Sequence, residues 1–252
     1  MAEPGLLLER RDGVATVTIA NPAKRNAMTP GMWRELPVLL DALAAEPRVR
    51  ALVLTGAGET FCAGADISAL SEPGTEGAAA VAEEALAAFP KPTLAVIRGY
   101  CVGGGCQLAA ACDLRFAARG SRFGVTPARL GIVYPASSTR RLVSLVGPAT
   151  AKYLLFSAEL IDDERALRTG LVDELLDAGE LAARVERFTA VLAGRSRLTQ
   201  AAAKEFTAQA LRGEPSADRV AHWEREARGS GDRAEGVAAF LERREPRFTW
   251  SA

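Results

Sequence analysis

Thr93-Leu-Ala-Val-Ile97 runs straight into Arg98-Gly-Tyr-Cys-Val-Gly-Gly-Gly-Cys-Gln-Leu-Ala-Ala-Ala-Cys-Asp113. The first five residues are apolar and β-branched in the manner of a strand buried on both faces. Glycines 103 to 105 then open an unbroken helical run that begins at or near Gly104. At such a helix start the free N–H groups and the positive end of the helix dipole face whatever lies in front, which suits an oxyanion. The triple glycine is not followed by Lys-Ser or Lys-Thr and does not fit GxGxxG, so neither a phosphate loop nor a dinucleotide cradle is expected.

Working outward, Ala51-Leu-Val-Leu-Thr55 and Leu114-Arg-Phe-Ala-Ala118 read as two further buried strands. Leu6 to Arg10 and Val14 to Ile19 flank Asp12-Gly13, the pattern of a hairpin with a two-residue turn. Helical segments at Pro30 to Ala45, about Ala78 to Phe89, and Gly104 to Cys112 separate the strands, which predicts repeated βαβ units. From about residue 148 onward the sequence reads as helical throughout, with breaks at Gly170, Gly179, Gly194 and Gly213-Glu-Pro215. Ser71-Glu-Pro-Gly-Thr-Glu-Gly77 reads as a mobile loop.

With 252 residues and 48% hydrophobic composition, the chain is long enough to bury a substantial core without staples. Lys plus Arg and Asp plus Glu both number 31, which leaves no overall basic field for nucleic acid or an anionic membrane. No apolar run approaches the ~20 residues of a membrane span. The start, MAEPGLLLERRDG, lacks the order of an export signal, so the cytoplasm is the expected location. Cys62, Cys101, Cys106 and Cys112 form no CxxC pair and read as reduced, buried residues. The single histidine, His222, lies in a charged helical stretch far from the other motifs, which disfavours a Ser-His-Asp triad or a His-rich metal site.

A second glycine-rich segment, Thr55-Gly-Ala-Gly-Glu-Thr-Phe-Cys-Ala-Gly-Ala-Asp-Ile67, follows a strand, where its small residues let a ligand approach the backbone. Together with Asn21-Pro-Ala-Lys-Arg-Asn-Ala-Met28, Gly99 to Asp113, Phe123-Gly-Val-Thr-Pro-Ala-Arg-Leu-Gly131, Gly170-Leu-Val172 and Glu235-Gly-Val-Ala-Ala-Phe240, it resembles the crotonase superfamily, in family order over nearly the whole chain. That family includes enoyl-CoA hydratases and isomerases. The resemblance implies an α/β spiral of βαβ units over residues 1–195 and a C-terminal helical oligomerisation region over 196–252, with trimers often paired into hexamers. It implies an acyl-CoA substrate, with coenzyme A entering as part of it and no separate cofactor or metal. The backbone N–H groups of Ala65 and Gly104 would hold the thioester oxygen, and two such donors stabilise an enolate by several kcal/mol. Lys24 and Arg25 would lie near the coenzyme A phosphates and adenine, and the backbone around Ala63 and from Ala65 through Asp66 to Ile67 would meet the adenine. The Asp66 carboxylate is expected to bond local backbone amides instead of acting as a base.

Hydratases of this family carry two glutamates, at positions that here are Gln107 and Pro127. An amide takes no proton near neutral pH and proline offers no polar side chain, so that acid/base pair is missing. Thr126 and Tyr134 instead match the Thr-Pro-x-x-Leu-Gly-x-x-Tyr run of the family's malonyl-type decarboxylases, whose tyrosine orients the substrate carboxylate. The match is partial, since those enzymes often carry His where this chain has Ala65. Tyr134 and Thr126 also fit a plain packing role before the next helix. Decarboxylation forms the enolate without a base, and Gln107 could donate an N–H to the carboxylate. The favoured expectation is therefore lyase chemistry. Alternatives are hydration or isomerisation with a carboxylate borrowed from Glu59, Glu72, Glu83 or Glu84, all expected at the solvated surface, or acyl-CoA binding without catalysis.

Overall fold

A computed structural model describes residues 3–69, 77–211 and 213–251. The Ser71 to Gly77 loop and the candidate Glu72 fall outside the described residues, apart from Gly77 itself. Strands β1 (Gly5–Arg11) and β2 (Val14–Ala20) pair antiparallel around a turn in which Asp12 (φ 50°) and Gly13 (φ 80°) are both left-handed, as a two-residue hairpin turn requires. β3 (Ala51–Gly56) and β4 (Thr93–Ile97) add to it in parallel, and every residue of β4 is buried. The short β5 (Tyr100–Val102) leaves this sheet, and β6 (Leu114–Ala118) rejoins it in parallel beside β4. β7 (Arg122–Gly124) pairs with β5 and starts a second, smaller sheet.

Helix α1 (Pro30–Ala45) joins β2 to β3. Its start follows from chemistry: the Thr29 hydroxyl accepts from Met32 N–H at 3.3 Å, and proline occupies the first turn, where no N–H is needed. It buries Met32, Trp33, Leu36, Leu40 and Leu43, one stripe at helical spacing. Helices α2 (Ala78–Ala87) and α3 (Gly104–Ala111) follow β3 and β5. α4 (Ala136–Ser157) kinks at Gly147-Pro148. Then come α5 (Asp163–Arg168), α6 (Ala178–Gly194), α7 (Arg197–Ala210), α8 (Ala217–Gly229) and α9 (Asp232–Glu242).

The expectation that the chain beyond residue 148 is helical between its glycine breaks is corrected in two places. β8 (Ile161–Asp162) pairs antiparallel with β7, and β9 (Glu174–Leu176) completes the large sheet beside β6, in the order β1-β2-β3-β4-β6-β9. Strands of two and three residues are too short to display a period of two, so tertiary pairing alone defines them. No helix among the described residues is long and apolar enough to cross a membrane.

A polar knot fixes the far end of α3. The Asp113 carboxylate accepts from Thr93 N–H (2.7 Å) and from Lys204 Nζ of α7 (2.7 Å), while Arg115, 2% exposed, pairs with Asp173 at 2.7 Å. All four cysteines are free and buried, and burial pushes the Cys62 and Cys112 thiols up to about 12. Because all 4 thiols are buried, the native protein should resist alkylation at neutral pH and expose them only on unfolding. Labelling of the folded chain at the unfolded rate would contradict this assignment.

Candidate active site

The loop after β3 is clamped on both sides by backbone bonds. Met28 N–H donates to Gly64 O (2.8 Å), Asp66 N–H to Met28 O (2.9 Å) and Ala63 N–H to Arg25 O (3.0 Å). On the other side Cys62 N–H donates to Tyr100 O and Val102 N–H to Cys62 O, both at 2.9 Å. Within these clamps the amides of Ala65 and Gly104 have no partner among the described residues. Gly103 (φ 59°, ψ −129°) holds a backbone state that side chains disfavour and turns the chain into α3.

Absent side chains bring the two segments together. A methyl on Gly64 would stand 3.3 Å from Gly104 N, and one on Gly105 would collide with Cys62 O at 2.5 Å. A methyl on Gly104 would lie 3.9 Å from Ala65 N and press on the Trp33 ring at 3.0 Å. The two unspent amides therefore belong to one small region. Beside it a cavity of about 50 Å³ is lined by Met28, Pro30, Trp33, Ala65, Asp66, Ala69, Ala78 and Ala79. Fixed donors with no internal acceptor suit a developing oxyanion.

Tyr134 and Thr126 stand over the same backbone: the Tyr134 hydroxyl and Thr126 Oγ1 each lie 3.7 Å from the position a Gly103 Cβ would take. Burial raises the Tyr134 phenol above its usual value, helped by Cys106 and Glu83 and partly offset by the Thr126 backbone, so it remains a neutral donor. Gln107 is 1% exposed, and neither atom of its amide finds a partner among the described residues. Pro127 is buried in a short 3-10 turn, Pro127–Arg129.

Glu83 departs from expectation. Instead of lying in solvent it is 4% exposed, accepts a hydrogen bond from Ser138 Oγ and sits 3.7 Å from Arg141 Nη1. Burial raises its carboxyl, with Ser138 and Arg141 opposing. The signal was present in the sequence: residues 79, 82, 83 and 86 share one helical face, and Ala82 and Leu86 are core residues on it. Glu84 is half-buried and bonds Arg141 Nη2 at 2.7 Å, while Glu59 is exposed.

On the outer side of the loop, Lys24 Nζ reaches the Asp66 carboxylate (2.6 Å) and Ser68 Oγ (2.8 Å). Asp66 also accepts from Ser68 N–H at 3.2 Å, and these bonds, Lys24 first, lower its carboxyl. The Arg25 guanidinium lies over the Tyr100 ring, 5.1 Å from its centroid. Ala63 and Ala65 are half-buried and Ile67 is exposed. His222 is elsewhere, with Trp223 and Trp250 on a cavity of about 1010 Å³ between α4, α7 and α8. That cavity is much larger, but Ala65 lines only the smaller one, and Gly104 lies against Ala65 and Trp33 beside it, so the unspent amides point to the smaller one. Among the described residues no three His, Cys, Asp or Glu side chains group as a metal site would require.

Comparison with known proteins agrees with this architecture. The profile of the family described as Enoyl-CoA hydratase/isomerase matches residues 9–251. A crotonyl-CoA hydratase of Syntrophomonas wolfei is 32% identical over 98% of this chain and 99% of its own. A crystal structure of an enoyl-CoA hydratase/isomerase family member superposes with a TM-score of 0.94 at 36% identity, covering 100% of this chain and 98% of that one. A putative enoyl-CoA hydratase/isomerase family protein from Hyphomonas neptunium gives 0.91 at 33% identity, covering 98% of both chains.

Proposed function

Because the chain belongs to the enoyl-CoA hydratase/isomerase family, the crotonase superfamily, we propose that it binds an acyl-CoA thioester and forms its enolate by loss of carbon dioxide. One observation carries this reading. The Tyr134 hydroxyl and Thr126 Oγ1 stand over Gly103, next to the Gly104 amide, the Gln107 amide is buried one turn further along α3 without a partner among the described residues, positions 107 and 127 hold no carboxylate, and the nearby Asp66 carboxylate is already bonded to Lys24 and Ser68. Such a set can orient a substrate carboxylate but cannot activate water as a glutamate pair would.

In this mechanism the bond between the α-carbon and the departing carboxylate breaks. Its electron pair moves into the thioester, and the resulting oxyanion is received by the Ala65 and Gly104 N–H groups, each donor of this kind contributing ~3 kcal/mol. Tyr134, Thr126 and Gln107 hold the carboxylate until it leaves. Lys24 and Arg25 serve the coenzyme A end, with the backbone of Ala63 to Ile67 beside its adenine. The helices of residues 196–252 carry self-association into trimers or hexamers, which light scattering checks.

The test offers methylmalonyl-CoA, ethylmalonyl-CoA and crotonyl-CoA in parallel. Carbon dioxide release from the first two is expected. Rapid hydration of crotonyl-CoA with no decarboxylation would overturn the proposal in favour of a hydratase, the activity named for the Syntrophomonas wolfei relative. Coenzyme A binding without any turnover would point to a binding protein.

A further inference from the structure

We infer that Glu83 is the acid that exchanges the proton at the substrate's α-carbon, a catalytic carboxyl supplied by α2 in place of the two positions now held by Gln107 and Pro127. The inference rests on the thioester-enolate part of the proposed function but not on decarboxylation. Three observations support it. First, Glu83 lies one helical turn beyond Ala79, on the same face of α2, and Ala79 lines the small cavity beside Ala65. Second, Ser138, which bonds the Glu83 carboxylate, lies in the first turn of α4 four residues after Tyr134, whose hydroxyl stands over Gly103.

Third, the close hydrogen bonds around Glu83 do not require its charge. Arg141 already has a carboxylate partner in Glu84 at 2.7 Å, and Ser138 could bond an amide as well as an acid. A carboxylate 4% exposed is costly to bury, and such a group one helical turn from a residue that lines the reaction cavity is a candidate for acid/base work.

The step balances simply. As the enolate collapses, its electron pair forms a C–H bond with the proton of the Glu83 carboxyl, the O–H bond breaks, and the thioester carbonyl is restored. The carboxylate left behind is held by Ser138 Oγ and faces Arg141, and it recovers its proton from water when product leaves. Run backwards, the same carboxylate removes an α-proton from a saturated acyl-CoA.

The experiment incubates the full-length protein with butyryl-CoA in deuterated buffer and follows deuterium at the α-carbon by mass. The wild type should incorporate it, and Glu83→Gln should be at least ~100-fold slower with an unchanged or higher melting temperature. Ser138→Ala removes a bond that favours the charged carboxyl, so the pH midpoint of exchange should move upward. The charged and titratable groups around Glu83 are Arg141 from α4, Glu84 from α2 and Tyr134 from the turn before α4. None of these is altered, so the shift reports Glu83 itself. No exchange by the wild type, or exchange by Glu83→Gln within threefold of it, would overturn the inference. Carbon dioxide release from methylmalonyl-CoA by the same proteins separates the two ideas. Release without exchange leaves decarboxylation standing and Glu83 refuted, and exchange without release does the reverse.

Discussion

Gly105→Ala should lose about 3 kcal/mol or more of stability and most of the catalytic activity, although helix propensity alone predicts a gain. Replacing glycine by alanine inside a helix is ordinarily worth ~1 kcal/mol in favour of alanine. Here the methyl would arrive 2.5 Å from Cys62 O, 2.7 Å from Cys62 Cβ and 2.9 Å from Cys62 Sγ, all nearer than packed atoms tolerate. α3 cannot easily retreat, because the Asp113, Thr93 and Lys204 bonds anchor its far end. The loop must yield, and with it the Cys62 bonds to Tyr100 and Val102. Overpacking costs ~1–3 kcal/mol and each weakened backbone bond ~1 kcal/mol, so the clash outweighs propensity. Ala65 lies three residues along that loop, and misplacing a reacting group by ~1 Å costs ~100-fold in rate. Urea unfolding and turnover on one preparation check both effects. A stability within 1 kcal/mol of the wild type would show that the two segments are not locked by glycine as argued.

The same crowding explains what was legible in the sequence. β1 to β4, β6 and α1 were readable because each is a long periodic or apolar run bounded by Gly, Pro or Asp. α3 was readable because glycines 103 to 105 announce its start and Asp113 its end. β8 and β9 were not, since their two or three residues become strands only by pairing with β7 and β6. At the site, Ala65 and Gly104 could be named from motif and helix polarity. Their shared lack of a hydrogen-bond partner emerges only when the Met28 and Tyr100 bonds are traced in three dimensions. Glu83 reads as solvated when judged by its charge alone. Residue 83 points inward with Ala82 and Leu86, and Glu84 sits at the margin with Arg141. Periodicity outranks composition where a charged residue falls on the apolar stripe.

Tyr134→Phe should lower decarboxylation about 100-fold in kcat with little change in folding stability. The proposed work of the residue is one hydrogen bond to a carboxylate about to leave, and removal of a single preorganised donor from a dry site typically costs ~10²–10³ in rate. Its titration does not intrude. Burial, Cys106 and Glu83 all push the phenol up, so it is protonated in the folded chain throughout the neutral range, and no limb of the pH profile below ~10 should disappear with the hydroxyl. Stability responds differently. Phenylalanine keeps the ring in its place against the core, and only the contact with the Thr126 backbone is lost, a matter of ~1 kcal/mol. A residue that merely packs before α4 would give the opposite pattern, with kcat intact and any loss confined to the melting temperature. Measuring kcat on methylmalonyl-CoA beside thermal unfolding therefore decides between orientation and packing. An unchanged kcat would remove Tyr134 from the mechanism and leave Thr126 and Gln107 to orient the carboxylate.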